Sequence, residues 1–118
     1  MRMAAMNAVL HQFDQSPLVC RDSICGTETA WDEVKFDYIL ANPPFSGARS
    51  DAKSSLRIEK GDKYVLFLAY ALRSLAHGGR AGVVFPNGIL FGDSGSHISV
   101  KSRLLEKFDL QAVDLSEI

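Results

Sequence analysis

Phe36-Asp37-Tyr38-Ile39-Leu40-Ala41 runs directly into Asn42-Pro43-Pro44-Phe45. The first six residues are a near-continuous apolar run, which predicts a strand buried on both faces, as in a parallel sheet. The next four predict a rigid tip. Two prolines fix φ and remove two N–H groups, so this backbone offers carbonyl acceptors and few donors. Asn42, lying before a proline, is pushed out of the helical region and keeps the tip extended. By average residue usage the tetrapeptide occurs by chance in roughly one chain in a thousand of this length or fewer. Its position at a strand end is therefore treated as signal.

A carboxamide and an aromatic ring on such a tip suit one task, which is gripping a planar ring by an exocyclic amino group. In adenine the lone pair of that nitrogen is delocalised into the ring, so the group is a poor nucleophile. Drawing both hydrogens into hydrogen bonds favours a tetrahedral nitrogen, and preorganised acceptors are a large catalytic term. The Asn42 side-chain oxygen can be one acceptor without any pKa tuning. The Pro43 carbonyl can be the other. Phe45 would stack on a base that has left its duplex. These residues point to amino-group methylation, with adenine in DNA as the leading substrate.

Outward from the tip, strands alternate with helices. Met3, Met6, Leu10 and Phe13 fall at helical spacing, and Leu18-Val19-Cys20-Arg21 reads as a short strand ending at Asp22 and Ser23. Residues 24–35 read as irregular, with Trp31 packing over a sheet edge, and residues 46–61 as a polar loop. Asp62 is expected to cap a helix from Lys63 to Ala76 that Gly78-Gly79 stops, with Tyr64, Phe67 and Tyr70 in the core and His77 serving the helix end. Arg80 to Phe85 reads as the next strand, Ser96 to Lys107 as an amphipathic helix and Leu110 to Leu115 as a final strand. This alternation predicts an α/β fold with a mostly parallel sheet. Ligands of such sheets sit at the carboxyl ends of strands, where Asn42 lies.

The bulk properties read as a soluble, globular chain, long enough for a real core but small for an α/β enzyme. The chain has 118 residues, 47% hydrophobic and 23% charged, with a net charge of −1. That is at most one domain, without the basic excess of a self-sufficient nucleic-acid binder. No apolar run approaches membrane-spanning length and no signal-peptide pattern opens the chain, so the expectation is a cytoplasmic protein with no membrane partner. Cys20 and Cys25 fit no zinc or redox spacing and read as reduced thiols, and His11, His77 and His97 show no ligand spacing, so no metal is assigned.

The chain resembles the catalytic region of N6-adenine DNA methyltransferases, closest to the modification subunit of type I restriction-modification systems. The matching stretches are Met6 to His11, Phe36 to Phe45, Leu72 to Leu75 leading into Gly78-Gly79-Arg80, Val83 to Phe91 and Arg103 to Glu106. Only Asn42-Pro43-Pro44-Phe45 is chemically diagnostic among them. The resemblance implies site-specific adenine-N6 methylation of DNA with S-adenosylmethionine, in company with specificity and restriction subunits. It assigns catalysis to Asn42, Pro43, Pro44 and Phe45, and cofactor contacts to Asn42 and Asp22. A turn or cap role for Asp22 is an equal alternative.

The resemblance also implies a partial Rossmann-like S-adenosylmethionine-dependent fold over residues 1–118, one domain lacking the first strands. Family members carry a glycine-rich cofactor loop, whereas the nine glycines here form no G-x-G. The cofactor-loop half and the helical N-terminal domain are thus expected to be absent, leaving an incomplete cofactor site, an isolated chain without activity, and a sheet edge that another chain, such as a second copy, would cover. A non-catalytic remnant, or a methylase of RNA or of protein amide nitrogen, is the alternative.

Two further segments have double readings. Residues 47–63 carry Arg49, Lys53, Arg57, Lys60 and Lys63 against Asp51, Glu59 and Asp62, a cationic excess that could meet DNA phosphates, although a solvated loop is the favoured reading. Asn87-Gly88 could line a base pocket but reads better as a turn.

Overall fold

The computed structural model describes residues 2–13, 18–45, 50–58 and 60–110. Its order is helix α1 (Arg2–Leu10), strand β1 (Phe36–Ala41), short strands β2 (Ser50–Asp51) and β3 (Lys60–Gly61), helix α2 (Lys63–Ser74), strand β4 (Leu75–Val83), the single turn α3 (Gly88–Phe91) and helix α4 (Gly95–Lys107). Single 3₁₀ turns stand at Ala30–Glu33 and Ser54–Leu56. β1 and β4 pair in parallel, and β2 and β3 form a separate antiparallel pair. Two parallel strands joined through a helix make a βαβ unit, the α/β element that the alternation predicts.

The core gathers around α2. Val65, Leu66, Leu68, Ala69 and Leu72 of this helix bury against Ile24, Leu56, Ile58, Ile89 and Val100, with Tyr64, Phe67 and Tyr70 packed at the margin. The helix is apolar on most of its surface and is covered on several sides. Residues 52–58 therefore depart from the expected solvated loop. Leu56 is fully buried and Lys53 is 2% exposed, because this segment closes the side of α2 that the sheet leaves open.

β1 is far less covered than its apolar run predicts. Ile39 and Ala41 are partly buried on the α2 face, whereas Tyr38 is 78% and Leu40 91% exposed on the other. The physical reason is that, among the described residues, β1 has one hydrogen-bonded neighbour and its second face is left uncovered. α1 forms where the spacing predicts it, with Phe13 beyond its end, but it buries no residue. Leu18 to Arg21 is irregular rather than a strand, since four residues with no ladder partner do not hold an extended form. Leu110 is not in a strand, and 111–115 and the Trp31 side chain lie outside the described residues.

The glycine pair has a different job from the expected one. α2 stops at Ser74, and the chain passes straight into β4 through an extended Leu75. His77, Gly78 and Gly79 all lie inside β4. The register goes from Phe36↔Leu75 to Tyr38↔Arg80, five steps along β4 against two along β1, so three residues bulge out. Gly78 takes φ +78, and a Cβ on Gly79 would stand 2.9 Å from the Asp37 carbonyl oxygen. A backbone oxygen cannot swing away as a side chain can. Gly79→Ala is therefore expected to cost about 1–3 kcal/mol, read as a lower urea midpoint.

Asp62 occupies the N-cap position of α2 with extended dihedrals, but its side chain makes no capping hydrogen bond. Its carbonyl still accepts from the Leu66 amide at 3.1 Å. At the far end of the helix, Arg73 donates to the Asp32 carbonyl and to Glu33 Oε1, and Lys35 donates to the Arg73 carbonyl. These contacts tie the end of α2 to the segment entering β1.

Candidate active site at the carboxyl rim of the sheet

The Val84 amide donates to the Ala41 carbonyl at 2.9 Å, extending the pairing beyond β4 to the last residue of β1. The two chains leave the sheet together, so residues 42–45 and 84–88 form one rim. α2 is antiparallel to β1, since its end leads into Leu75 opposite Phe36. Its start at Lys63 therefore lies at the same rim. Twelve residues of helix rise about 18 Å and six of strand about 20 Å, so the lengths match.

At the tip, neighbouring residues have opposite surroundings. Asn42 and Pro44 are exposed, Phe45 is 45% exposed, and Pro43 between them is buried. Pro43 is the anchor. It lines a cavity of about 220 Å³ together with Ser23, Phe36, Ile39, Ala41, Phe67, Tyr70, Ala71 and Ser74. A buried proline with no N–H to satisfy seats the turn without leaving an orphan donor. The carboxamide and the ring then face outward, where a planar amine could be met by an amide oxygen and by a ring face.

Asp22 lies beside this cavity through Ser23. Its Oδ1 accepts from the amides of Cys25 at 2.8 Å and Ile24 at 3.0 Å, the turn role that the sequence left open. The Cys25 and Ile24 amides hold its pKa below the usual carboxylate value against a small opposing effect of burial, and Lys53 and Lys63 assist. The structure thus sets Ser23, next to Asp22, on the cavity that Pro43 lines, while showing Asp22 as a turn former. Asn87 starts α3 through the Leu90 amide at 3.0 Å, an ordinary turn on the rim.

Two polar groups escape the sequence reading. In the first, Asp32 is 1% exposed and takes Lys53 Nζ at 3.1 and 3.0 Å, Arg21 Nη1 at 2.8 Å and the Thr29 amide and hydroxyl at 2.7 and 2.9 Å. Burial alone would raise its pKa, but Lys53, the Thr29 amide, Arg21 and the Thr29 hydroxyl together hold it far below the carboxylate range. Arg21 also donates to the Tyr70 hydroxyl, so this network braces a wall of the cavity. Thr29-Ala30-Trp31-Asp32 fits the capping-box spacing and could have flagged Asp32; nothing local flags Lys53.

In the second, buried His97 joins the Tyr64 hydroxyl at 3.0 Å to Ser94 Oγ at 2.7 Å. Burial, and then the neighbouring Asp62 carboxylate, raise the pKa of Tyr64. This group fastens the start of α4 to the start of α2.

Comparison with known proteins gives the family. The family model described as N-6 DNA Methylase matches residues 1–115. The chain belongs to the N-6 DNA methylase family. It is 30% identical over 115 residues to the type I restriction enzyme EcoEI methylase subunit of Escherichia coli, covering 94% of this chain and 23% of that protein. It is 26% identical over 117 residues to the EcoKI methylase subunit of Escherichia coli strain K12 and to the StySPI methylase subunit of Salmonella potsdam, covering 95% of this chain and 22% of each. This N-6 methylase chain therefore spans less than a quarter of the length of these curated relatives. No solved structure matches it. Among the described residues, no helix is long and apolar enough to cross a membrane.

Proposed function

We propose that this chain is the target-base part of a DNA adenine-N6 methylase of the type I restriction-modification kind. The observation that carries the reading is the split environment of Asn42-Pro43-Pro44-Phe45, a buried proline anchor with an exposed amide and ring on a sheet rim. Family membership and relatives named as type I restriction enzyme methylase subunits support it. Asn42 Oδ1 and the Pro43 carbonyl accept the two amino hydrogens of a flipped adenine, and Phe45 stacks on its ring. The nitrogen gains the methyl group as the methyl's bond to the donor sulfur breaks, leaving a neutral thioether, and the displaced proton passes to water at the exposed rim.

S-adenosylmethionine supplies an electrophilic methyl group when bound. The residues described fit one end of it. The cavity of about 220 Å³ beside Asp22, Pro43 and Phe67 would take a planar ring. It falls below the roughly 300–1,000 Å³ of sites that enclose a whole cofactor-sized molecule. The remaining contacts then come from elements beyond the described residues, as expected for one partial Rossmann-like domain. The edge and face of β1 that are open among the described residues accept those elements, and the wider assembly includes specificity and restriction subunits and DNA.

Titration calorimetry with S-adenosylmethionine should show no saturable binding at micromolar concentration to the chain alone. Joined to the missing methylase elements, the chain should transfer labelled methyl to adenine N6 of duplex DNA. Micromolar binding by the isolated chain would contradict the incomplete site. Label recovered on RNA or on protein glutamine would overturn the substrate.

A further inference from the structure

Arg57 and Arg103 form a second site of interest, away from the tip. Arg57 is exposed and takes φ +56, a left-handed backbone that non-glycine residues rarely adopt. The strain sits on the residue directly after Leu56, which is fully buried against α2 and whose amide closes a turn on the Lys53 carbonyl at 3.0 Å. Arg103, on α4, donates Nη1 to the Leu56 carbonyl at 2.8 Å. Its guanidinium is thereby held one residue from Arg57. Neither arginine makes an ion pair with a described residue, although the chain as a whole has a net charge of −1. Burial, and then the charge of Arg57, depress the pKa of Arg103.

Two like charges and a strained backbone kept together without a counter-ion among the described residues describe a site complementary to an anion. Guanidinium forks match phosphate oxygens in particular. The place suits the same substrate as the tip. On Gly61, beside the start of α2 at the rim, a Cβ would stand 3.2 Å from Ser96, so the first turn of α4 lies there. Arg103 is seven residues further along α4, about 10 Å down the helix.

We infer that Arg57 and Arg103 together clamp a backbone phosphate of the DNA whose base reaches Asn42. This rests on the proposed function for its partner, but not on the chemistry at Asn42.

The test is fluorescence anisotropy of the full chain with a labelled duplex over a range of salt, without cofactor. Arg57→Gly removes the charge while suiting the left-handed backbone, so its fold is kept. It should weaken binding severalfold and lower the slope of log K against log salt by about 1. Arg57→Gln should do the same, whereas Asn42→Ala should leave the slope unchanged. The clamp is overturned if the wild-type chain fails to bind duplex, if Arg57→Gly keeps the wild-type slope, or if polyglutamate binds as tightly as DNA. Should Arg57→Gly lower the slope while Asn42→Ala, placed in the assembled methylase with S-adenosylmethionine, still methylates, the clamp stands and the grip on the base falls; the reverse pattern sinks the clamp alone.

Discussion

Asn42→Ala should lower the turnover of DNA methylation by on the order of 10²–10³-fold in the assembled methylase, the range seen when one preorganised polar group at a reacting centre is lost. The effect belongs in kcat more than in KM. In the proposed mechanism the hydrogen bond to the amide strengthens as the amino nitrogen becomes tetrahedral, so its loss is felt mainly in the transition state. Because Asn42 is exposed, the same change should move folding stability by less than about 0.5 kcal/mol. Activity and denaturation measured on one preparation separate the two. A variant that keeps its turnover, or that loses activity only by unfolding, removes Asn42 from the chemistry.

Lys53→Ala should be the most damaging substitution for stability, at about 3–5 kcal/mol in urea denaturation at neutral pH. The lysine reaches both Asp32 oxygens inside the protein, and its loss leaves a carboxylate 1% exposed with Arg21 and Thr29 as partners. Joint replacement by Asp32→Asn and Lys53→Met removes both charges at similar volume and should cost less than the single change. The sign with pH follows from the depressed Asp32 pKa. The unfolded carboxyl titrates near 4, so the contribution is complete above that pH and disappears as pH falls below it toward the folded value. A urea midpoint that stays level from pH 6 down to pH 3 would contradict this account. The same network reaches Tyr70 and the cavity that seats Pro43, so a loosened Asp32 should also blunt the rim.

Much of the proposed site's local structure was legible in the chain because its determinants are local. Proline geometry acts within one or two residues, and the strand before it shows in six consecutive side chains. The parallel βαβ unit, the position of α2 and the turn at Asn87 follow from periodicity and from glycine and proline chemistry in the same way. Asp22 as a turn former is equally local, since its partners are two and three residues ahead.

What tertiary structure decided involves partners distant in sequence. Lys53 and Asp32 are 21 positions apart, Arg73 and Glu33 are 40, and Arg21 and Tyr70 are 49. No pattern in the polar run around Lys53 distinguishes a buried cation from a solvated one. Gly78-Gly79 carries the same local signal as a helix stop or as a bulge; the pairing of Arg80 opposite Tyr38 selected the bulge. The apolar run of β1 likewise states a capacity for burial on two faces. Whether that capacity is used depends on which elements lie against it, because burial is a property of neighbours in space rather than of the residues themselves.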